Sequence, residues 1–263
     1  MATKEAKKKV KIASKLKKAQ THIFPVSQSF VHLKLLAYGK NGTGKTHMGA
    51  TAPKPLIVDC NERGTLAARA IKDVQVFQVE TWTDVDLAFW FLHSGKHDRQ
   101  SVVIDSATLL QQLCMKFVLS DEASRDPTKD PQMPSKREWG KVGELMRTVI
   151  MNFRNLPMHV IFTAQERMGF SEEDEEAPEI YPEVSPSARS TLTAQVNVIG
   201  RTVVKEVVEK RGKKKIRTPD FRLVLGPSER FVTKVNIQNH GLPGIIRDPN
   251  ITRIIKRIRD GGK

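Results

Sequence analysis

Apolar residues fall in short runs separated by amphipathic stretches, and the two alternate along most of the chain. Runs at 31–38, 55–59 (Pro55-Leu56-Ile57-Val58-Asp59), 74–79, 101–105 and 158–164 are brief and largely apolar, which predicts strands. Residues 45–52, 64–71, 82–93, 106–119 and 136–155 read as helices. Thr83-Asp84 is placed to cap the helix over 82–93, and Gly95 to end it. Strands alternating with helices predict an α/β fold with a mainly parallel sheet and helices on both faces. Trp82, Phe89, Trp90 and Phe91 fall in one of these helices and are expected to pack against the sheet rather than stack on bases.

Two stretches break the alternation. Residues 120–135 hold Asp126-Pro127, Asp130-Pro131 and Met133-Pro134, and a residue before proline is steered away from helix, so irregular structure is expected. Residues 166–187 hold the acidic run Glu172-Glu173-Asp174-Glu175-Glu176, then Pro178, Pro182 and Pro186, and are expected to form a long loop. Beyond residue 195 the texture turns β-branched. Residues 196–208 and 216–225 are strand-like and flank the basic turn Lys210-Arg211-Gly212-Lys213-Lys214-Lys215, which predicts a long hairpin over about 196–225. In 251–259, Ile254, Ile255 and Ile258 alternate with Arg253, Lys256, Arg257 and Arg259. This is a short basic amphipathic helix, suited either to packing on the core or to touching a polyanion.

Composition divides the chain further. Its 263 residues suffice for one substantial core. The net charge is +15, and residues 1–20 hold eight lysines against Glu5. The expected organisation is a basic arm at 1–25, a main domain at 26–240 and a basic tail at 241–263. A basic excess of this size favours a polyanionic partner, most often nucleic acid. No run of eighteen apolar residues occurs and no apolar stretch follows the basic N-terminus, so neither a membrane span nor a secretory signal is expected. Cys60 and Cys114 are the only cysteines, which fits a reduced, cytoplasmic protein without a disulfide framework.

The chemistry centres on Gly39-Lys40-Asn41-Gly42-Thr43-Gly44-Lys45-Thr46, a full phosphate-binding loop between a predicted strand and a predicted helix. Its glycines let backbone N–H groups face phosphate oxygens, Lys45 can reach the β- and γ-phosphates, and the Thr46 hydroxyl can ligate Mg²⁺. Hydrolysis needs more than the loop. Ser101-Val102-Val103-Ile104-Asp105-Ser106 is an apolar strand ending in an acid, which makes Asp105 the candidate for the Mg²⁺ shell. Ser106 follows it, so no second acid stands in the adjacent position. Glu62, just beyond the strand ending at Asp59, is the candidate to orient or deprotonate water. Gln165, at the end of the strand over 158–164, is a candidate to sense the γ-phosphate.

Together these residues resemble the RecA-type ATPase core over about residues 30–205. More narrowly, they are similar to phage-encoded RecA-like nucleotide-binding proteins that include single-strand-annealing ATPases, in which a stretch like Asn61-Glu62-Arg63-Gly64-Thr65 follows the second strand. The resemblance implies a RecA-like fold, ATP and Mg²⁺ as cofactors, single-stranded DNA as partner, and a role in recombination or replication inside a bacterial host. It assigns Lys45 and Thr46 to phosphate and metal, Asp105 to metal, Glu62 to catalysis and Gln165 to coupling nucleotide with DNA. It also implies a homo-oligomer, ring or filament, with a trans-acting cation; Arg189 and Arg201 are the candidates. A single-strand-binding protein is a further candidate partner. The chain departs from RecA in two places. RecA spaces its catalytic acid as D-x-E, whereas here Asn61 takes that place. The loop after the sensor strand is acidic, which moves the expected DNA contact to residues 120–140 (Lys129, Lys136, Arg137), the turn at 210–215 or the N-terminal arm. A helicase or helicase-loading ATPase, and a nucleotide-switched scaffold that does not hydrolyse, are the alternatives on the same core.

Overall fold

The computed structural model describes Gln20, Ile23 and residues 32–126, 128, 130, 132–169, 179–211 and 214–261. Most of the basic arm, the acidic run at 172–176, Lys129, and Gly212 and Lys213 of the basic turn lie outside the described residues.

Strands alternate with helices as the apolar pattern requires. They are β1 (Lys34–Gly39), β2 (Pro55–Asp59), β3 (Gln75–Gln78), β4 (Ser101–Asp105), β5 (His159–Gly169), β6 (Glu179–Pro182), β7 (Val198–Arg211), β8 (Lys214–Val224), β9 (Lys234–Val235) and β10 (Ile245–Arg247). The helices are α1 (Lys45–Ala50), α2 (Trp82–His93), α3 (Ala107–Arg125), α4 (Lys136–Asn155), α5 (Pro186–Gln195) and α6 (Ile251–Arg259). Among the described residues the sheet runs β10-β8-β7-β1-β5-β4-β2-β3, with β6 paired to β5 and β9 to β7. From β7 through β1, β5, β4 and β2 to β3 every neighbour is parallel; β8 and β10 continue the sheet antiparallel. The mainly parallel α/β expectation is met.

The central strands are buried on both faces, which is why they read as continuous apolar runs. Leu36, Tyr38, Val58, Ile104 and Phe162 face a core shared with α2, α3, α4 and α5. The alternate residues Ala37, Ile57, Val103 and Ile161 are equally buried. There α1 comes so close that a Cβ on Gly49 would lie 2.8 Å from Val103. Register then fixes the site. Gly39 pairs with Gln165, Asp59 pairs with Asp105, and Ile104 pairs with Phe162. The C-terminal ends of four parallel strands therefore bring their polar residues into one crevice, where open α/β sheets bind ligands.

Several local expectations are corrected. The helix beginning at Ala107 runs to Arg125, six residues into the stretch expected to be irregular. Nothing between Leu119 and Arg125 breaks a helix, and Asp126, before Pro127, is the first residue with extended backbone (φ −139°). Likewise β5 does not stop near Ala164 but continues to Gly169 and pairs antiparallel with β6. Gln165 thus sits within a strand rather than at its end. Residues 64–71 form only a short 3-10 helix, Gly64–Ala68. The expectation that Trp90 and Phe91 pack inward fails: they are 61% and 42% exposed, whereas Trp82 is buried and Phe89 packs on the core. Thr81, not Thr83, caps α2, closing a capping box with Asp84. Helix α5 was not foreseen, although Ser185-Pro186 is a standard helix start. The C-terminal helix α6 belongs to the same compact unit as the sheet. Its Ile251, Ile254, Ile255 and Ile258 are buried, each contributing about 1.5–3 kcal/mol in transfer free energy. Among the described residues, no helix is long and apolar enough to cross a membrane. Cys60 and Cys114 are free and buried.

Candidate nucleotide-binding site

The loop joining β1 to α1 needs its glycines for separate reasons. Gly42 and Gly44 take left-handed backbone at φ +76° and +82°, which a side chain would strain. Gly39 lies against β7: a Cβ there would stand 2.3 Å from the Thr202 hydroxyl and 2.4 Å from its carbonyl. Thr202 in turn shares a 2.7 Å hydrogen bond with the Thr43 hydroxyl, so β7 braces the loop.

Lys45 is buried and folded back over this loop. Its Nζ donates to the Gly39 carbonyl at 2.9 Å, the Lys40 carbonyl at 2.8 Å and Oε1 of Gln165 at 3.1 Å. Burial lowers its pKa, while the nearby Glu62, Asp105 and Glu166 charges pull it back up. Gln165 is fixed from behind, its backbone N–H donating to the Thr108 hydroxyl at 3.0 Å. Its amide works at both ends: Oε1 accepts from Lys45, and Nε2 donates to Oε1 of Glu62.

Glu62 is delivered by a turn wound on the Asp59 carboxylate. Oδ1 of Asp59 accepts from the backbone N–H groups of Glu62 at 2.8 Å and Arg63 at 3.2 Å. Asn61 and Arg63 adopt left-handed backbone at φ 71° and 51°, which absorbs the extra residue relative to D-x-E spacing. Asn61 is exposed and its side chain accepts from Arg63, so Glu62 is the member of this pair that enters the crevice. Burial raises the Glu62 pKa, with Asp105 adding to the shift and Lys45 opposing it.

Asp105 is buried at the end of β4. Its Oδ2 accepts from the Thr46 hydroxyl at 2.7 Å and its Oδ1 from the Thr163 hydroxyl at 2.5 Å. Ser106 then caps α3, accepting from the Leu109 N–H. Oδ2 of Asp59 is buried with no hydrogen-bond partner among the described residues, and burial raises the Asp59 pKa. A hydroxyl paired to a carboxylate, with a second carboxylate on the neighbouring strand, is a donor set suited to Mg²⁺. Among the described residues, no group of three or more His, Cys, Asp or Glu is placed to hold a metal ion by itself.

The two candidate arginines do not join this cluster. Arg201 is committed within its own chain, donating to both carboxylate oxygens of Glu166 at 2.8 and 3.1 Å. Arg189 lies over the Tyr181 ring, 3.8 Å from its centroid. Within its own chain Arg201 therefore spends its guanidinium on Glu166.

Sequence reasoning also missed part of the site. A cavity of about 820 Å³ opens over the phosphate loop. Besides residues 41–48 and Glu62, it is lined by Phe221, Asp248, Asn250 and Arg253. Thr108, which holds Gln165, also carried no motif signal.

A family model described as an AAA domain matches residues 32–235. No curated protein matches the chain.

Proposed function

This chain belongs to the AAA domain family of P-loop ATPases, and from that premise we propose that it is an ATPase of RecA type that binds single-stranded DNA and acts in phage DNA recombination or annealing. The observation that supports the ATPase part of this reading is the unbroken connection from Lys45 through Gln165 to Glu62, which joins the phosphate loop to a carboxylate through one amide.

Bound ATP with Mg²⁺ supplies an electrophilic γ-phosphoryl group and a cation that neutralises developing charge. Lys45 binds phosphate oxygens by exchanging its Gln165 contact for them. Thr46 and Asp105, already joined by a hydrogen bond, are the residues that would hold Mg²⁺, which would neutralise charge on the phosphates. Glu62 orients the attacking water and takes its proton at a carboxylate oxygen. Partial burial makes that carboxylate more basic than an exposed one, which favours proton acceptance near neutral pH. Gln165 exchanges its contact with Lys45 when phosphate arrives, and so relays occupancy along β5.

The partner assignment rests on charge. Net charge is +15, and exposed cations on β7, β8 and α6 (Lys205, Arg217, Lys256, Arg257) add to the basic arm. A homo-oligomer that shares its site between subunits would take its trans cation from Arg189, since Arg201 is paired internally. The test is binding of a labelled single-stranded oligonucleotide with and without a non-hydrolysable ATP analogue, over a salt series. The expected result is tighter binding with analogue, a steep loss with salt, and no analogue effect in Lys45→Ala. Oligonucleotide binding that ignores the analogue in the wild type would overturn the reading.

A further inference from the structure

The family match ends at residue 235, yet the cavity over the phosphate loop is walled by residues beyond it. Asp248, Asn250 and Arg253 line that cavity together with Phe221. Their placement is built in. The Asp248 N–H donates to the Phe221 carbonyl at 2.8 Å, and Oδ1 of Asn250 caps α6 by accepting from the Arg253 N–H at 3.0 Å.

Helix α6 is moored to α1. The Ile251 N–H donates to the Thr51 hydroxyl at 2.8 Å, and the Thr252 hydroxyl donates to the Thr51 carbonyl at 2.6 Å. Thr51 caps the end of the helix that Lys45 begins. That helix rises about 9 Å from Lys45 to Thr51. Residues anchored at Thr51 line the same cavity as the loop, at the far end of α1 from Lys45, which leaves them for the sugar and base of a nucleotide whose phosphates occupy the loop.

The chemistry there is that of a nucleoside site rather than a phosphate site. The Phe221 ring lies so near the loop that a Cβ on Gly44 would meet it at 3.1 Å. Arg253 offers a planar guanidinium, which stacks on π-systems. Asp248 offers an acceptor-only carboxylate, which suits ribose hydroxyl or base amino donors and repels phosphate. Both charged residues are exposed to the cavity, and neither makes an ion pair among the described residues.

We infer that the segment Asp248–Arg253, with Phe221, is the nucleoside half of the nucleotide site: Phe221 and Arg253 pack on the base, and Asp248 accepts hydrogen bonds from the sugar or base. This rests on the reading that the loop at 39–46 holds a nucleoside triphosphate. It makes the C-terminal helix, outside the family match, a determinant of which nucleotide binds.

Calorimetry with the full chain tests it, comparing a non-hydrolysable ATP analogue with inorganic tripolyphosphate, both with Mg²⁺. Arg253→Ala and Asp248→Asn (asparagine tolerates the left-handed backbone at Asp248, φ 41°) are expected to weaken the analogue by at least about tenfold while leaving tripolyphosphate within about twofold. Lys45→Ala is expected to weaken both ligands. Wild-type analogue affinity in both C-terminal variants, with both ligands lost in Lys45→Ala, would overturn the inference and leave the phosphate-loop reading standing. Equal weakening of both ligands in Arg253→Ala would place that residue on the phosphates and also overturn it. Failure of the wild type to bind either ligand would remove the underlying nucleotide reading instead.

Discussion

Gln165 accepts from Lys45 at 3.1 Å, and with that bond all three ammonium protons are taken. A phosphate oxygen entering the loop must compete for them, and the Gln165 contact is the one made by a side chain that can swing away. Its other end still holds Glu62. In Gln165→Ala, affinity for a non-hydrolysable ATP analogue is expected to stay within about threefold, while single-turnover hydrolysis falls about a hundredfold, the scale of a misplaced proton acceptor. An unchanged rate would mean that Gln165 only props the loop.

Glu62→Gln keeps the size of the side chain and removes the proton acceptor. It is expected to bind ATP with near wild-type affinity and lose turnover by at least about a hundredfold. Because burial and Asp105 raise the Glu62 pKa, the acid limb of the wild-type rate profile should lie above the ordinary glutamate range. The sign is that of a base: activity is present when the carboxylate is ionised and is lost as pH falls through its pKa. Wild-type turnover in the variant would move the role to Asp59, whose Oδ2 has no partner among the described residues.

Thr46 and Asp105 are joined at 2.7 Å and are expected to act as one unit toward metal. Asp105→Asn should raise the Mg²⁺ concentration needed for half-maximal turnover by about tenfold, with Thr46→Ala similar and the double variant less than additive. Titrating Mg²⁺ at saturating ATP checks this. Fully additive losses would show that the two serve separate functions.

The parts of this site that could be read from the chain are those set by local sequence. Gly39–Thr46 and Asp105 stood out because each lies where an apolar strand meets a fixed pattern of residue types. Glu62 stood out because it follows a strand by three residues, and the turn on Asp59 shows how it reaches Gln165 despite the altered spacing. Thr108 and Arg253 left no such trace. They reach the site only through hydrogen bonds spanning much of the chain, such as Ile251 to Thr51. The exposed Trp90 and Phe91 went astray for a related reason: α2 is apolar on more of its surface than the sheet covers, so hydrophobicity alone did not say which face is buried. The Arg201–Glu166 pair was equally invisible, because Glu166 lies on a strand that runs longer than its apolar core suggested.

Lys34 gives a test of the fold itself. It is buried in β1, and its Nζ donates to the carbonyls of Leu156 at 2.9 Å and Met158 at 2.8 Å. Burial, with Arg154 nearby, lowers its pKa from 10.5 to about 8. Between those values the unfolded chain holds more protons at this residue than the folded one, so its contribution to stability rises with pH across the window from about 8 to 10.5. Below about 8 the cost of burying the charge is constant. The stability of the wild type relative to Lys34→Met should therefore climb across that window in denaturant titrations. A flat difference would show that Lys34 keeps an ordinary pKa.

The most direct measurement is the ATP hydrolysis rate of the full chain with no nucleic acid, single-stranded DNA, duplex DNA and RNA, with Lys45→Ala run beside it. Slow basal turnover, marked stimulation by single-stranded DNA alone, and no turnover in Lys45→Ala under any condition are expected. Turnover that survives in Lys45→Ala, or a wild-type rate equal in all four conditions, would contradict the proposed function.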